Sequence, residues 1–341
     1  MTDDAPSDTL RERADESRWK LWLLMNADRR VVAGVLLLAV FLSLGVAAAL
    51  APGVADTLRN SDSVDTVFQG LLTATITGVT LVLTLNQLVL SQELGAVGDQ
   101  RERMEGAMSF RDDAADLLEA PVAPARPAQF LRAFVQVAGE RARDLRATVG
   151  DGSDAGRAVA DLTDSLVGNA DRVADSLDGA TFGEFDVVAA ALDFNYSWKV
   201  FAARRIDAEY GDDLTDEGRA ALDRLTDVLR LFGPAREHFK TLYFQWELIN
   251  LSRAILTAAL PALVVSVFMV GFFDRTAYGV VAGVDLVVAA VLVGVVVAVA
   301  PFVILLAYVL RIATVTKHTL SIGPFILRET EGATEVEWDT E

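Results

Sequence analysis

Residues 286–310 read LVVAAVLVGVVVAVAPFVILLAYVL, a run without a charged side chain. A transmembrane helix needs about 20 consecutive apolar residues, so this run is long enough to cross a bilayer. Three further uncharged runs qualify, at residues 31–55, 66–92 and 254–273. They predict an all-α, polytopic membrane protein with four transmembrane helices and a cytoplasmic helical bundle inserted between helices 2 and 3.

The composition supports a membrane protein and excludes several kinds of chemistry. Of the 341 residues, 52% are hydrophobic and 23% are charged, which is too apolar for a typical soluble domain. The chain has no cysteine and two histidines, His238 and His318, neither in a metal-ligand spacing. No P-loop, dinucleotide fingerprint or nucleophile elbow is present. We therefore predict no enzyme activity, no cofactor and no metal site.

The charge is strongly acidic, and its basic residues are mostly arginine. A net charge of −18 argues against a nucleic-acid partner, because phosphate binding needs a concentrated basic surface. Only four of the 30 basic residues are lysine, a pattern that resembles the proteins of extreme halophiles. In that interpretation the charge is a solubility adaptation to a salty cytoplasm rather than a ligand site.

Lysine and arginine counts predict the orientation in the cell membrane. They number six in the first 30 residues, one in 56–65, nineteen in 93–253, one in 274–285 and three after residue 310. Because basic residues are enriched on the cytoplasmic side, both termini and the central segment are predicted to be cytoplasmic. The predicted segments are 1–30 (N-terminal), 31–92 (helices 1 and 2), 93–247 (bundle), 248–312 (helices 3 and 4) and 313–341 (tail).

Apolar residues recur at helical spacing through the central segment, which predicts four or five helices. We expect the first to continue transmembrane helix 2 over residues 91–120. We expect the last to start at Thr215 and to be interrupted at Gly233 and Pro234. Residues 8–25 fit either an interfacial amphipathic helix or a plain extension of the first span.

Transmembrane helix 2 carries the most informative pattern, a polar stripe with a mean spacing of about 3.7 residues, close to the helical period. Its members are Gln69, Thr73, Thr77, Thr80, Thr84, Gln87 and Ser91. One interpretation is that several copies of this helix surround an aqueous path. The other is that the hydroxyls bond to carbonyls one turn back and the stripe only packs against helices.

Four other residues are weaker candidates. Glu93 could form a charged ring at the cytoplasmic mouth, or be an ordinary helix-end charge. Pro261 and Pro301 lie inside spans and could act as hinges. If transmembrane helix 4 begins near Thr276, Asp285 lies in the hydrocarbon core of the bilayer. If the helix begins at Asp285 itself, the carboxylate interacts favourably with the positive end of the helix dipole.

The order of two spans, a cytoplasmic helical segment and two more spans resembles the bestrophin family of anion channels. The resemblance covers the layout alone and implies an oligomer, pentameric in that family, with the second helix lining the pore. Residues 83–104, LTLNQLVLSQELGAVGDQRERM, resemble uncharacterised membrane proteins of halophilic archaea.

Two functions follow. The first is an oligomeric ion channel or pore, a homo-oligomer in the lipid bilayer, with helix 2 lining the path. The second is a membrane-anchored scaffold or signalling protein whose bundle binds a cytoplasmic protein partner.

Overall fold

The computed structural model describes residues 27–150, 152–183 and 185–318. The predicted amphipathic segment at 8–25 and most of the predicted tail lie outside these residues. The described chain divides into two units. We call residues 27–94 and 245–314 the span unit, and residues 95–244 and 315–318 the bundle unit.

The span unit is built from long apolar helices and two short connections. Its elements are α1 (Arg29–Leu50), α2 (Val54–Asn60), α3 (Ser63–Glu93), the part of α9 (Asp216–Gly271) from residue 245, the strands β1 (Val280–Val281) and β2 (Val284–Asp285), and α10 (Leu286–His318) up to residue 314. Four of these helices, α1, α3, α9 and α10, are long and apolar enough to cross a membrane. The chain is therefore a membrane protein, mostly helical as predicted.

Large side chains of α3 pack into the interior of the span unit. Phe68 is fully buried in an apolar cluster with Met269 and Ala298. Gly294 makes this possible, because a Cβ atom there would lie 2.9 Å from Cζ of Phe68. Further along α3, Val82 is buried against α9 and α10. The interior of this unit is thus filled by side chains.

Helix α1 packs through its first turns only. Val32 and Ala33 are buried against Val303 and Ala307 of α10. Side chains further along α1, such as Leu38 and Leu42, are exposed. In a bilayer these side chains would face lipid, which suits their apolar character.

The bundle unit has its own apolar core. Its helices are α4 (Val97–Leu117), α5 (Pro127–Thr148), α6 (Asp154–Leu177), α7 (Phe185–Leu192), α8 (Tyr196–Tyr210) and α9 up to residue 244. Local signals set their starts. Pro127 occupies the first turn of α5, where its missing N–H costs nothing, and the Ser153 hydroxyl caps α6 by accepting from the Gly156 N–H at 2.9 Å.

The expected continuous helix over residues 91–120 is wrong. Helix α3 ends at Glu93, and α4 begins at Val97. Leu94 and Ala96 adopt extended backbone, with ψ of 125° and 155°. Gly95 lies between them, and glycine disfavours helix by about 1 kcal/mol relative to alanine. This local preference ends the helix although no proline is present.

The expected interruption at Gly233 and Pro234 is also absent, because α9 runs through both residues. Gly233 is a close packing position: a Cβ atom there would lie 2.8 Å from the Tyr196 ring. Its neighbour Phe232 is buried against Phe194, with ring centroids 4.9 Å apart. Packing therefore outweighs the local cost of these two residues.

Candidate pore-lining helix

The polar stripe of α3 faces away from the other described helices of the span unit. All seven of its side chains are exposed: Gln69, Thr73, Thr77, Thr80, Thr84, Gln87 and Ser91. The buried residues of α3, among them Phe68, Thr75 and Val82, occupy the opposite side of the helix. The stripe is thus available to water, lipid or a second copy of the chain.

The hydroxyl groups of the stripe bond to the carbonyls of their own helix. Thr73 donates to Gln69 O at 3.0 Å, Thr77 to Thr73 O at 2.9 Å and Thr84 to Thr80 O at 3.0 Å. Thr80 and Ser91 bond to carbonyls one turn back in the same way. Each of these bonds satisfies the donor locally, so the hydroxyls alone do not require a partner.

The two glutamines differ from the threonines. Within the described residues, the side-chain amides of Gln69 and Gln87 have no hydrogen-bond partner. An amide that loses water without gaining a partner costs roughly 2–7 kcal/mol. A glutamine facing lipid tails would carry this cost, whereas one facing water or another amide would not. Within the stripe, these two amides are therefore the side chains whose donors the helix itself does not satisfy.

Residues beside the stripe have other roles. Asn86 is half-buried, and its Oδ1 accepts from the Ser252 hydroxyl of α9 at 2.6 Å. Thr75 is buried and bonds to Leu71 O at 2.8 Å. These two polar groups therefore stabilise the interior of the span unit. Glu93, the predicted mouth residue, ends α3, and its side chain lies outside the described part of the chain.

Both predicted hinge prolines lie within helices. Pro261 is exposed in α9, and Pro301 is buried in α10. Each proline removes one backbone donor and so leaves one carbonyl of the preceding turn without its usual partner. Motion at either residue stays a prediction.

Charged side chains are buried in three helices that also carry apolar runs, a feature that the sequence pattern did not predict. Arg29 of α1, Glu247 of α9 and Arg311 of α10 are all buried. Arg311 Nη1 lies 3.4 Å from Glu247 Oε1. The sequence alone does not place these two residues together, because 64 positions separate them.

Two ion pairs join the short connections of the span unit. Arg59 Nη2 lies 2.7 Å from Asp285 Oδ2, and Arg275 pairs with Asp65. Asp285 also accepts from the Val287 N–H at 3.0 Å, at the first turn of α10. Helix α10 begins at Leu286, so Asp285 precedes the span and interacts favourably with the helix dipole.

The bundle unit has a buried polar centre. Lys199 is fully buried, with its Nζ 5.2 Å from the centroid of the Phe194 ring. Asn169 is also fully buried and donates to Asp193 O at 2.8 Å. Among the described residues, no group of three His, Cys, Asp or Glu side chains converges as a metal site. His238 contacts the Phe239 ring, whereas the side chain of His318 is not described.

Four apolar helices and a separate helical unit with its own core define a multi-span membrane protein. The chain belongs to a family of unknown function, DUF7972, whose model matches residues 1–340. No curated protein matches the chain, and no solved structure matches it. The family fits the resemblance to uncharacterised proteins, but it says nothing about halophilic or archaeal origin.

Proposed function

We propose that the protein is an oligomeric membrane pore in which α3 of each copy lines an aqueous path. The observation that carries the proposal is the outward-facing stripe of α3, with its two unsatisfied glutamine amides. Polar side chains within a membrane usually face a bundle interior or a water-filled cavity. In a single chain this stripe faces neither, whereas a ring of copies provides both.

The interior of the span unit favours a path between copies over a path within one copy. Phe68, Met269 and Ala298 fill the space between α3, α9 and α10. An open groove of about 460 Å³ between α9 and α10 is lined by apolar side chains such as Phe268 and Val293. Its lining is predominantly apolar and offers few polar groups to replace the hydration shell of an ion.

The proposed pore lies in the cell membrane with both termini and the bundle unit in the cytoplasm. This orientation rests on the excess of lysine and arginine in those segments. The two short connections contain one basic residue each, Arg59 and Arg275, and both form ion pairs with aspartates. In this arrangement the bundle unit gates the path or holds the copies together.

A membrane-anchored scaffold is the second candidate function. The observation that favours it is the extensive core of the bundle unit, which is large enough to present a stable surface to a cytoplasmic protein. In that case the α3 stripe would only mediate packing between copies. Small and polar contacts of that kind contribute about 0.6–2 kcal/mol each.

Thiol accessibility distinguishes the two functions, and the native chain contains no cysteine to interfere. We expect Thr77→Cys and Thr80→Cys in membrane vesicles to react with a charged, membrane-impermeant thiol reagent. Leu38→Cys, at an exposed apolar position of α1, is the lipid-facing control and should not react. Unreactive cysteines at both stripe positions would contradict the pore and favour the scaffold.

Conductance gives a second, independent test. Thr80→Leu should abolish ion flux through the reconstituted protein, because it places an apolar side chain on the path. Thr257→Leu is the matched control, since Thr257 is an exposed threonine of α9 that bonds to Arg253 O just as Thr80 bonds to Ile76 O. Equal flux in both variants would exclude α3 as the lining helix.

A further inference from the structure

Helix α4 presents an apolar face that nothing in the bundle unit covers. Val97, Met104 and Met108 are 86%, 64% and 50% exposed. Residues 97–109 are all exposed, so the first half of α4 extends free of its own bundle. Exposed methionines of this kind are typical of surfaces that bind another protein chain.

The free face differs from the face that packs on the bundle. Successive residues turn by about 100°, which places Val97, Met104 and Met108 within a sector of roughly 40°. Phe110 and Ala114, which lie elsewhere on the circumference, contact the bundle core. Phe110 approaches the Phe130 ring at 6.1 Å between centroids. The exposed apolar side chains therefore lie on a different face of α4 from the one that packs against the bundle core.

The spacing and charge of this face fit a second copy of the same helix. Val97, Met104 and Met108 follow one another by seven and four residues, which places the first two at d positions and Met108 at an a position of a heptad, with Arg101 at the a position between them. Residues 97–108 carry three acids and two arginines, whereas the whole chain has a net charge of −18. The charge of Arg101 is matched within its own helix by Glu105, whose Oε1 lies 2.6 Å from Nε of Arg101. Two copies therefore repel each other less here than at a typical surface of this acidic chain.

We infer that the Val97–Met108 face of α4 packs against the same face of a neighbouring copy, as a short parallel coiled-coil contact. Copies inserted in one membrane share an orientation, so their α4 helices run in the same direction. Helix α4 follows α3 after the three-residue break at 94–96. The inference shares with the proposed pore the premise that copies assemble, but it concerns a contact outside the apolar runs.

Cysteine cross-linking tests this contact in the full-length chain. Because the native chain has no cysteine, a disulfide in Met104→Cys can form only between two copies. After mild oxidation in vesicles, we expect a covalent dimer of Met104→Cys on a non-reducing gel. Glu102→Cys, an exposed position on the opposite side of α4, is the control and should stay monomeric on that gel.

Three results would overturn the inference. These are equal cross-linking of the two variants, loss of the Met104→Cys dimer on dilution with excess lipid, and no dimer at all. In the last case, thiol labelling shows whether solvent or bilayer covers the face. The reaction of Thr77→Cys with the thiol reagent is a separate measurement. The α4 contact can therefore be excluded without excluding the pore, and the pore can be excluded without excluding the α4 contact.

A second variant tests the α4 contact without relying on the geometry that a disulfide bond requires. Met104→Glu together with Met108→Glu places acids on the proposed contact and should reduce the number of copies in the particle. Both side chains are exposed in the single chain, so its helical content and bundle unfolding should not change. An unchanged particle mass in this double variant would contradict the α4 contact.

Discussion

Glu247 and Arg311 form the most buried ion pair among the described residues of the span unit. Their side chains are 8% and 9% exposed, with Oε1 and Nη1 3.4 Å apart. Removing one member of such a pair leaves an uncompensated buried charge, at a typical cost of about 3–5 kcal/mol. We expect Glu247→Gln to lower the stability of the protein in detergent by a cost of that order, measured by thermal unfolding.

A double replacement separates loss of the pair from loss of packing. Glu247→Leu combined with Arg311→Met should recover much of the stability, because a buried pair and an apolar pair of similar volume are often close in free energy. Glu209→Gln is the control, since its pair with Arg205 is exposed and should be worth less than about 1 kcal/mol. If Glu247→Gln and Glu209→Gln lower the stability equally, the buried pair contributes no more to stability than the exposed pair.

Gly294 shows how one missing side chain positions two helices. A Cβ atom there would lie 2.9 Å from Cζ of the fully buried Phe68. Overpacking of this kind usually costs about 1–3 kcal/mol, so Gly294→Ala should lower the thermal stability. Gly34→Ala is the matched control in α1, where a Cβ atom meets nothing within 4 Å. If both substitutions have the same effect, α3 and α10 do not approach through Gly294.

At the scale of elements, α9 carries a salt bridge cluster within the bundle unit. Burial raises the pKa of Glu237, but Lys240 and Arg236 outweigh it, so the pKa of this carboxyl lies below its ordinary value of 4.5. A carboxyl with a lowered folded pKa contributes stability above its unfolded pKa and loses it as pH falls through the folded pKa. Glu237→Gln should therefore weaken the bundle at neutral pH and flatten its acid unfolding curve below about pH 4.5.

To measure this effect, the full chain is unfolded at several pH values, and tryptophan fluorescence monitors the transition. Glu237 is more than a third exposed, so the expected change is small, below about 1 kcal/mol. Asp227→Asn is the control, because the pair of Asp227 with Arg230 is 3.7 Å long and exposed. If the two variants have the same acid limb, the Glu237 cluster does not contribute to the pH dependence.

The sequence predicts elements that depend on local hydropathy and periodicity, but it does not predict features that depend on backbone geometry or on contacts between distant residues. Hydropathy over about 20 residues identifies the span helices, and a period near 3.6 places the α3 stripe on one face. The break at 94–96 and the continuity of α9 through Gly233 depend on backbone geometry and on the Tyr196 ring. The Glu247–Arg311 and Arg59–Asp285 pairs join residues far apart in sequence, and one sequence without aligned relatives contains no signal for them.

At the scale of the whole molecule, the packing of one chain decides whether the proposed pore needs more than one copy. In one chain the side chains of Phe68, Met269 and their neighbours fill the space between helices, while Gln69 and Gln87 face outward. A water-filled path therefore needs α3 from several chains around a common axis. A monomer would leave both amides facing lipid, at the cost of unsatisfied polar groups.

The first measurement we would make is the mass of the solubilised particle, by light scattering with correction for bound detergent. We expect a multiple of the 36.7 kDa chain mass larger than a dimer. High salt should preserve the particle, because the predicted halophilic surface needs screening of its net charge of −18. A monomer at all salt concentrations would exclude a ring of α3 helices and leave the scaffold, because the packed interior of one chain has no room for an aqueous path.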